Sequence, residues 1–137
     1  MPNDFNQQII DEFRANEGRV GGMFDGSPLV LLTTTGAKSG KQTTTPVMFV
    51  EDGDRYVVIA SNGGADHNPA WYHNLRATPE ATAEVGAEEF GVKAVFVDGE
   101  ERDRLYARMV ERAAQFAEYE AKTSRRIPVI ALQRTVA

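Results

Sequence analysis

Residues 29–61, LVLLTTTGAKSGKQTTTPVMFVEDGDRYVVIAS, decide the fold. Residues 29–35 are aliphatic and β-branched with apolar residues in succession, which predicts a strand buried on both faces. Residues 43–51 (TTTPVMFVE) and 55–61 (RYVVIAS) predict two more strands. Asp52-Gly53 between them is a hairpin signal, because both residues tolerate positive φ. Pro46 cannot donate to a ladder, so it puts the second strand at an edge or a bulge.

Downstream, SNGGADHNP leads into AWYHNLRA, a short helix with Pro69 suited to its first turn. Residues 81–85 and 89–97 predict another hairpin that turns near Gly86-Ala87 and is closed by Asp98-Gly99. From Glu100 to about Thr123 the stripe Leu105, Tyr106, Met109, Val110, Ala113, Phe116 and Ala117 predicts one long helix. Residues 127–132 predict a final strand behind Arg125-Arg126. Upstream, Gly18, Gly21, Gly22, Gly26 and Pro28 break the chain. Before them, Phe5, Ile9, Ile10 and Phe13 give residues 3–15 an amphipathic helical spacing, with Asn3 or Asp4 as cap. Its polar face is acidic, which favours docking on its own domain over a membrane surface.

Strands follow one another in hairpins instead of alternating with helices, which argues against a doubly wound parallel sheet. The expected class is mainly β (α+β): five or six antiparallel strands curled into a barrel, with an N-terminal helix, a short helix and a long late helix. One domain is expected over residues 1–137, with helix and loop in 1–27 and the barrel in 28–134.

Composition narrows the chemistry. The 137 residues contain no cysteine, which excludes disulfides, thiolate metal sites and a cysteine nucleophile. A net charge of −5 leaves no global basic footprint for nucleic acid. No apolar run is long enough to span a bilayer, and no signal-peptide pattern opens the chain, so a cytoplasmic location is expected. His67 and His73 stand six apart without a third ligand at metal spacing, so no metal site is expected.

Two loops can carry chemistry. In residues 36–41 (GAKSGK), two glycines let the backbone approach a ligand and turn its N–H groups outward, while Lys38, Lys41 and Ser39 suit a phosphate or polycarboxylate. The glycine spacing is not that of a P-loop, and a strand rather than a helix follows, so a solvated lysine turn fits as well. Residues 61–74 gather glycines, amides, both histidines and the single tryptophan. They suit the edge and walls of a planar heterocycle, or equally a helix cap with a core tryptophan.

Taken in order, TTTGAKSGKQTTTP (33–46), RYVVIASNGGADHNPAWYHNLRATP (55–79) and RRIPVIAL (125–132) resemble the deazaflavin (F420)-dependent nitroreductase and quinone reductase family. The resemblance spans residues 29–133. It implies a split β-barrel like that of the FMN-binding split-barrel enzymes, and coenzyme F420, a deazaflavin with a phosphate and oligoglutamate tail, as cofactor. By the same resemblance Lys38, Ser39 and Lys41 face the tail. The strand positions Thr43, Thr44, Thr45, Pro46 and Met48 lie behind. Ser61, Asn62, Ala70, Trp71, Tyr72, His73 and Asn74 lie on the ring side. Met48, Phe116 and Tyr119 fall on the acceptor side, with Ser61 and Tyr119 as catalytic candidates through hydrogen bonding to developing negative charge. The implied reaction is hydride transfer from reduced F420 to a small hydrophobic acceptor, a quinone or nitro compound. Nitro-reducing members carry a tyrosine cluster where this chain has Ala113, Phe116 and Tyr119, which counts against nitroimidazole prodrugs. The acidic N-terminal helix counts against membrane contact, and barrels of this type often pair as homodimers. The alternatives are an FMN-dependent reductase of the same barrel and a carrier that binds the deazaflavin without turnover.

Overall fold

A computed structural model describes residues 4–18 and 29–135. The cap at Asn3 or Asp4, the Phe5 side chain and the break at Gly21, Gly22, Gly26 and Pro28 lie outside the described residues. In chain order the elements are α1 (Asp4–Ala15), β1 (Leu29–Thr35), β2 (Gln42–Asp52), β3 (Arg55–Ile59), a 3-10 turn (Asn62–Gly64), α2 (Ala70–Ala77), β4 (Glu80–Val85), β5 (Glu88–Val97), α3 (Gly99–Arg112), α4 (Gln115–Lys122) and β6 (Val129–Arg134). The strands close into an antiparallel barrel in the order β1-β2-β3-β6-β5-β4, with β4 pairing back on β1.

The apolar runs are continuous because the barrel wall is covered on both sides. Val58 of β3 and Ile130 and Leu132 of β6 point into the interior with Val30, Leu32 and Trp71. Their neighbours Val57, Ile59, Val129 and Ala131 face outward under Leu105, Tyr106, Met109 and Phe116. Leu29 and Leu31 face outward too, beneath Ile9, Ile10 and Phe13 of α1, so the amphipathic helix is docked on the barrel. Arg14 fixes it there through two hydrogen bonds to Glu84 at 3.0 and 2.8 Å.

Three expectations need correction. The long late helix is two helices. The chain turns extended at Ala113 (φ −146°, ψ 100°), and the buried Tyr106 hydroxyl donates to the Phe116 carbonyl at 2.6 Å across the break. That fold-back brings Phe116 and Tyr119 round to the barrel mouth, which a straight helix does not do. The last strand starts at Val129 because the ladder stops at Pro128: its carbonyl still accepts from Ala60 N–H, but it has no N–H to return, and the Ile127 carbonyl is taken by two donors of Arg102. For the same reason β3 stops at Ile59, two residues early.

Pro46 lies within a continuous β2 opposite Leu31. It is tolerated because β2 meets β3 only from Phe49 onward, leaving residues 42–48 with β1 on one side and no strand on the other.

Candidate functional site

That open edge of β2 is one wall of a cavity of about 950 Å³. Thr45, Pro46, Val47 and Met48 line it from β2, and Ile59, Ser61 and Asn62 from the end of β3. His67, Asn68, Pro69, Ala70, Trp71 and His73 close the second side, and Gln115, Phe116 and Tyr119 of α4 the third. A smaller groove of about 490 Å³ between β2 and α3 contains none of the candidate residues.

Of those candidates, Thr45, Pro46, Met48, Ser61, Asn62, Ala70, Trp71, His73, Phe116 and Tyr119 line the cavity together. Lys38, Ser39, Lys41, Thr43, Thr44, Tyr72 and Asn74 do not. Thr44 shares a 2.7 Å hydrogen bond with Thr33, and Tyr72 packs edge-on against Phe96. Val47, Ile59, His67, Asn68, Pro69 and Gln115 also line the cavity. The three loop residues lie inside the flagged stretch 61–74, whereas Gln115 gives no signal in sequence.

The first loop is more closed than its glycines suggest. Gly36 N–H donates to the Lys41 carbonyl, Gly40 N–H to the Gly36 carbonyl, and Lys41 N–H to Ser39 Oγ. Ala37 N–H donates to Asn74 Oδ1 at 3.0 Å, and Asn74 Nδ2 donates to Thr34 Oγ1 at 3.0 Å. Most of the loop's N–H groups are therefore turned inward, not outward, and only those of Lys38 and Ser39 remain for a ligand. A Cβ at Gly36 would stand 2.5 Å from Ser39 Oγ and 3.2 Å from the Lys41 carbonyl oxygen, so a larger residue there displaces the Ser39 hydroxyl that accepts from Lys41 N–H. Asn74 thus ties α2 to the first loop instead of facing the cavity. Lys38 and Lys41 are exposed and make no ion pair with a described residue.

The second loop is built tightly. Asn62 adopts φ 49°, a left-handed conformation that asparagine takes more readily than other non-glycine residues, and its amide donates to the His67 carbonyl at 3.2 Å. Gly64 N–H donates to the Ser61 carbonyl at 2.9 Å. Arg125, on the segment before β6, donates to the Ala65 carbonyl at 2.9 Å, Asn68 Oδ1 at 2.7 Å and the Ser61 carbonyl at 2.8 Å. Ser61 is buried, yet neither its hydroxyl nor that of Tyr119 hydrogen-bonds another described residue. Phe116 and Tyr119 stack edge to face at 5.2 Å. Beneath them, burial and the nearby Glu120 carboxylate push the Tyr106 hydroxyl up to about 12, so it stays a donor to Phe116. Among the described residues no cluster of histidines and carboxylates could hold a metal ion, and no helix is long and apolar enough to cross a membrane.

The arrangement is a ligand cleft with one apolar side, unspent hydroxyls and a separate cationic turn. Its likeness to known proteins is close. The family model for F420H(2)-dependent quinone reductase matches residues 6–134. The F420H(2)-dependent quinone reductase of Mycobacterium tuberculosis strain H37Rv is 41% identical over 128 residues, 89% of this chain and 85% of that protein. The solved F420-H2 dependent reductase FDR-A aligns at 41% identity with a TM-score of 0.72, covering 77% of this chain and 94% of that one. A chain solved as a domain-swapped dimer aligns at 36% identity with a TM-score of 0.74, covering 97% of this chain and all of the other. The heme storage protein HutZ of Vibrio cholerae, at 19% identity and a TM-score of 0.62, shares the fold alone. With the model matched over nearly the whole chain and the cleft at the mouth of a split barrel, this protein belongs to the F420H(2)-dependent quinone reductase family.

Proposed function

We propose that this F420-dependent reductase passes a hydride from reduced F420 to a small quinone, with nitro compounds as secondary acceptors. The observation that carries the reading is the open edge of β2 facing α4 across one cavity. A free strand edge carries backbone N–H and C=O groups that seek partners, as does the polar edge of a planar ring. Trp71, Met48 and Phe116 supply apolar walls, and a cavity of about 950 Å³ lies within the usual range for ligand sites. Lys38 and Lys41, with the free N–H groups of Lys38 and Ser39, offer the anionic tail a positive spot on a chain of net charge −5. The residues present therefore fit F420. FMN draws no support, because relatives above 30% identity whose names give a cofactor name F420.

When bound, reduced F420 supplies the hydride; the quinone takes it up with a proton and becomes the quinol. Ser61 and Tyr119 hold hydroxyl donors in the same cavity, where they stabilise the charge that develops on the acceptor oxygen. Met48, Phe116 and Gln115 seat the acceptor and exclude water. A homodimer belongs to this reading, supported by the similar chain solved as a domain-swapped dimer.

Fluorescence titration with oxidised F420 tests the cofactor assignment, and loss of F420H2 absorbance with a quinone panel tests the acceptor. Saturable micromolar binding and quinone-dependent oxidation are expected. Absence of binding overturns the reading, and binding without oxidation by any quinone overturns the acceptor.

A further inference from the structure

Arg125 lies outside the cavity lining, on the connection between α4 and β6, yet it spends its donors on the loop that forms the cavity. Nε donates to the Ala65 carbonyl at 2.9 Å. Nη1 donates to Asn68 Oδ1 at 2.7 Å and the Ala60 carbonyl at 3.3 Å. Nη2 donates to the Ser61 carbonyl at 2.8 Å and again to Ala60 at 3.3 Å. Among the described residues it forms no salt bridge. Arg102 is a contrast. It donates to the Ile127 carbonyl but is also paired with Asp103 and Glu120, none of which lines the cavity.

A half-buried guanidinium answered only by neutral oxygens is an unusual investment. Its partners all come from one loop, and that loop carries the left-handed Asn62 at φ 49°. An irregular loop keeps one shape only where its surroundings over-determine it. A planar fork with five donors in fixed geometry does so, and a lysine with a point charge on a flexible stem does not. We propose that Arg125 is a positioning residue: it holds residues 60–68 in the shape that turns Ser61 and Asn62 to the cavity, and so sets both cofactor affinity and turnover. This rests on the F420 reading above.

The test compares wild type with Arg125→Lys and Arg125→Ala in F420 affinity, kcat, KM for a quinone, thermal melting and amide hydrogen exchange over residues 60–68. F420 affinity is expected to fall about tenfold or more in both variants, the size of losing one charge-assisted hydrogen bond or more. The kcat at saturating cofactor falls as well, and exchange over the loop accelerates. Millimolar guanidinium restores part of the affinity to the Ala variant and none to the Lys variant. Variants that melt earlier but keep wild-type affinity and kcat overturn the proposal. If the Ala variant does not fold, the Lys variant decides it by the same criterion. If wild type itself fails to bind F420, the functional reading falls, and unchanged loop exchange in the variants would then overturn the positioning role separately.

Discussion

Lys38 is an exposed ammonium on a turn whose own N–H groups are mostly spent internally, so in the proposed function its side chain carries much of the contact with the anionic tail. Lys38→Ala should weaken F420 binding by about 1.5 kcal/mol, the low end for a hydrogen bond to a charged group because water screens the site. Fluorescence titration reads the loss, and kcat at saturating cofactor should not move. Residue types made this lysine legible in the sequence. Arg125 was legible only as a neighbour of the last strand, because its partners are mostly backbone carbonyls 57 to 65 positions away, and carbonyls carry no residue signature. Asn74 was ambiguous for a related cause. An amide in a ligand-like motif suits a ring edge as well as a loop backbone, and only the fold put Ala37 N–H in front of it.

Among the elements, strands with both faces buried were the clearest. β1 has the bounds its composition predicts, and the β4–β5 turn falls on Gly86-Ala87 between the paired Val85 and Glu88. The break between α3 and α4 was hidden because Ala113 and Ala114 are among the best helix formers. Packing decides it, through the Tyr106 hydroxyl and the burial of Phe116. The position of α4 depends in turn on Gly64, with φ 85° and a Cβ site 3.1 Å from the Tyr119 backbone and 3.2 Å from Lys122 Cβ. Gly64→Ala should push α4 away from the 3-10 turn. The expected outcome is a stability loss of about 1 kcal/mol or more and a raised KM for the quinone, with F420 affinity less affected. Thermal melts and steady-state kinetics separate the two effects.

For the molecule as a whole, an ionic network joins the barrel to its outer layer. Asp52 accepts from Arg104 at 3.2 Å, and Arg55 reaches both Asp52 and Glu101. Hydrogen bonds from Arg104 and then Arg55 hold the Asp52 carboxyl down from 3.8 to about 2. Because the folded state binds this proton more weakly than the unfolded chain, the contribution is present above pH 3.8 and is lost as pH falls toward 2. Asp52→Asn should therefore lower Tm at neutral pH, and the gap to wild type should close over that acid range in calorimetric melts. The barrel class was readable from hairpin order alone, but the cleft was not, since it arises where β2 outruns β3.

The tie between Asn74 and Ala37 has a thermodynamic consequence. It sets the turn at residues 36–41 before any ligand arrives, so the backbone there has little conformational entropy left to surrender. The ordering cost is met during folding, and the encounter loses mainly the freedom of the ligand itself. On the proposed reading, an anionic tail that meets a stiff turn loses less affinity to ordering and can be held through few contacts.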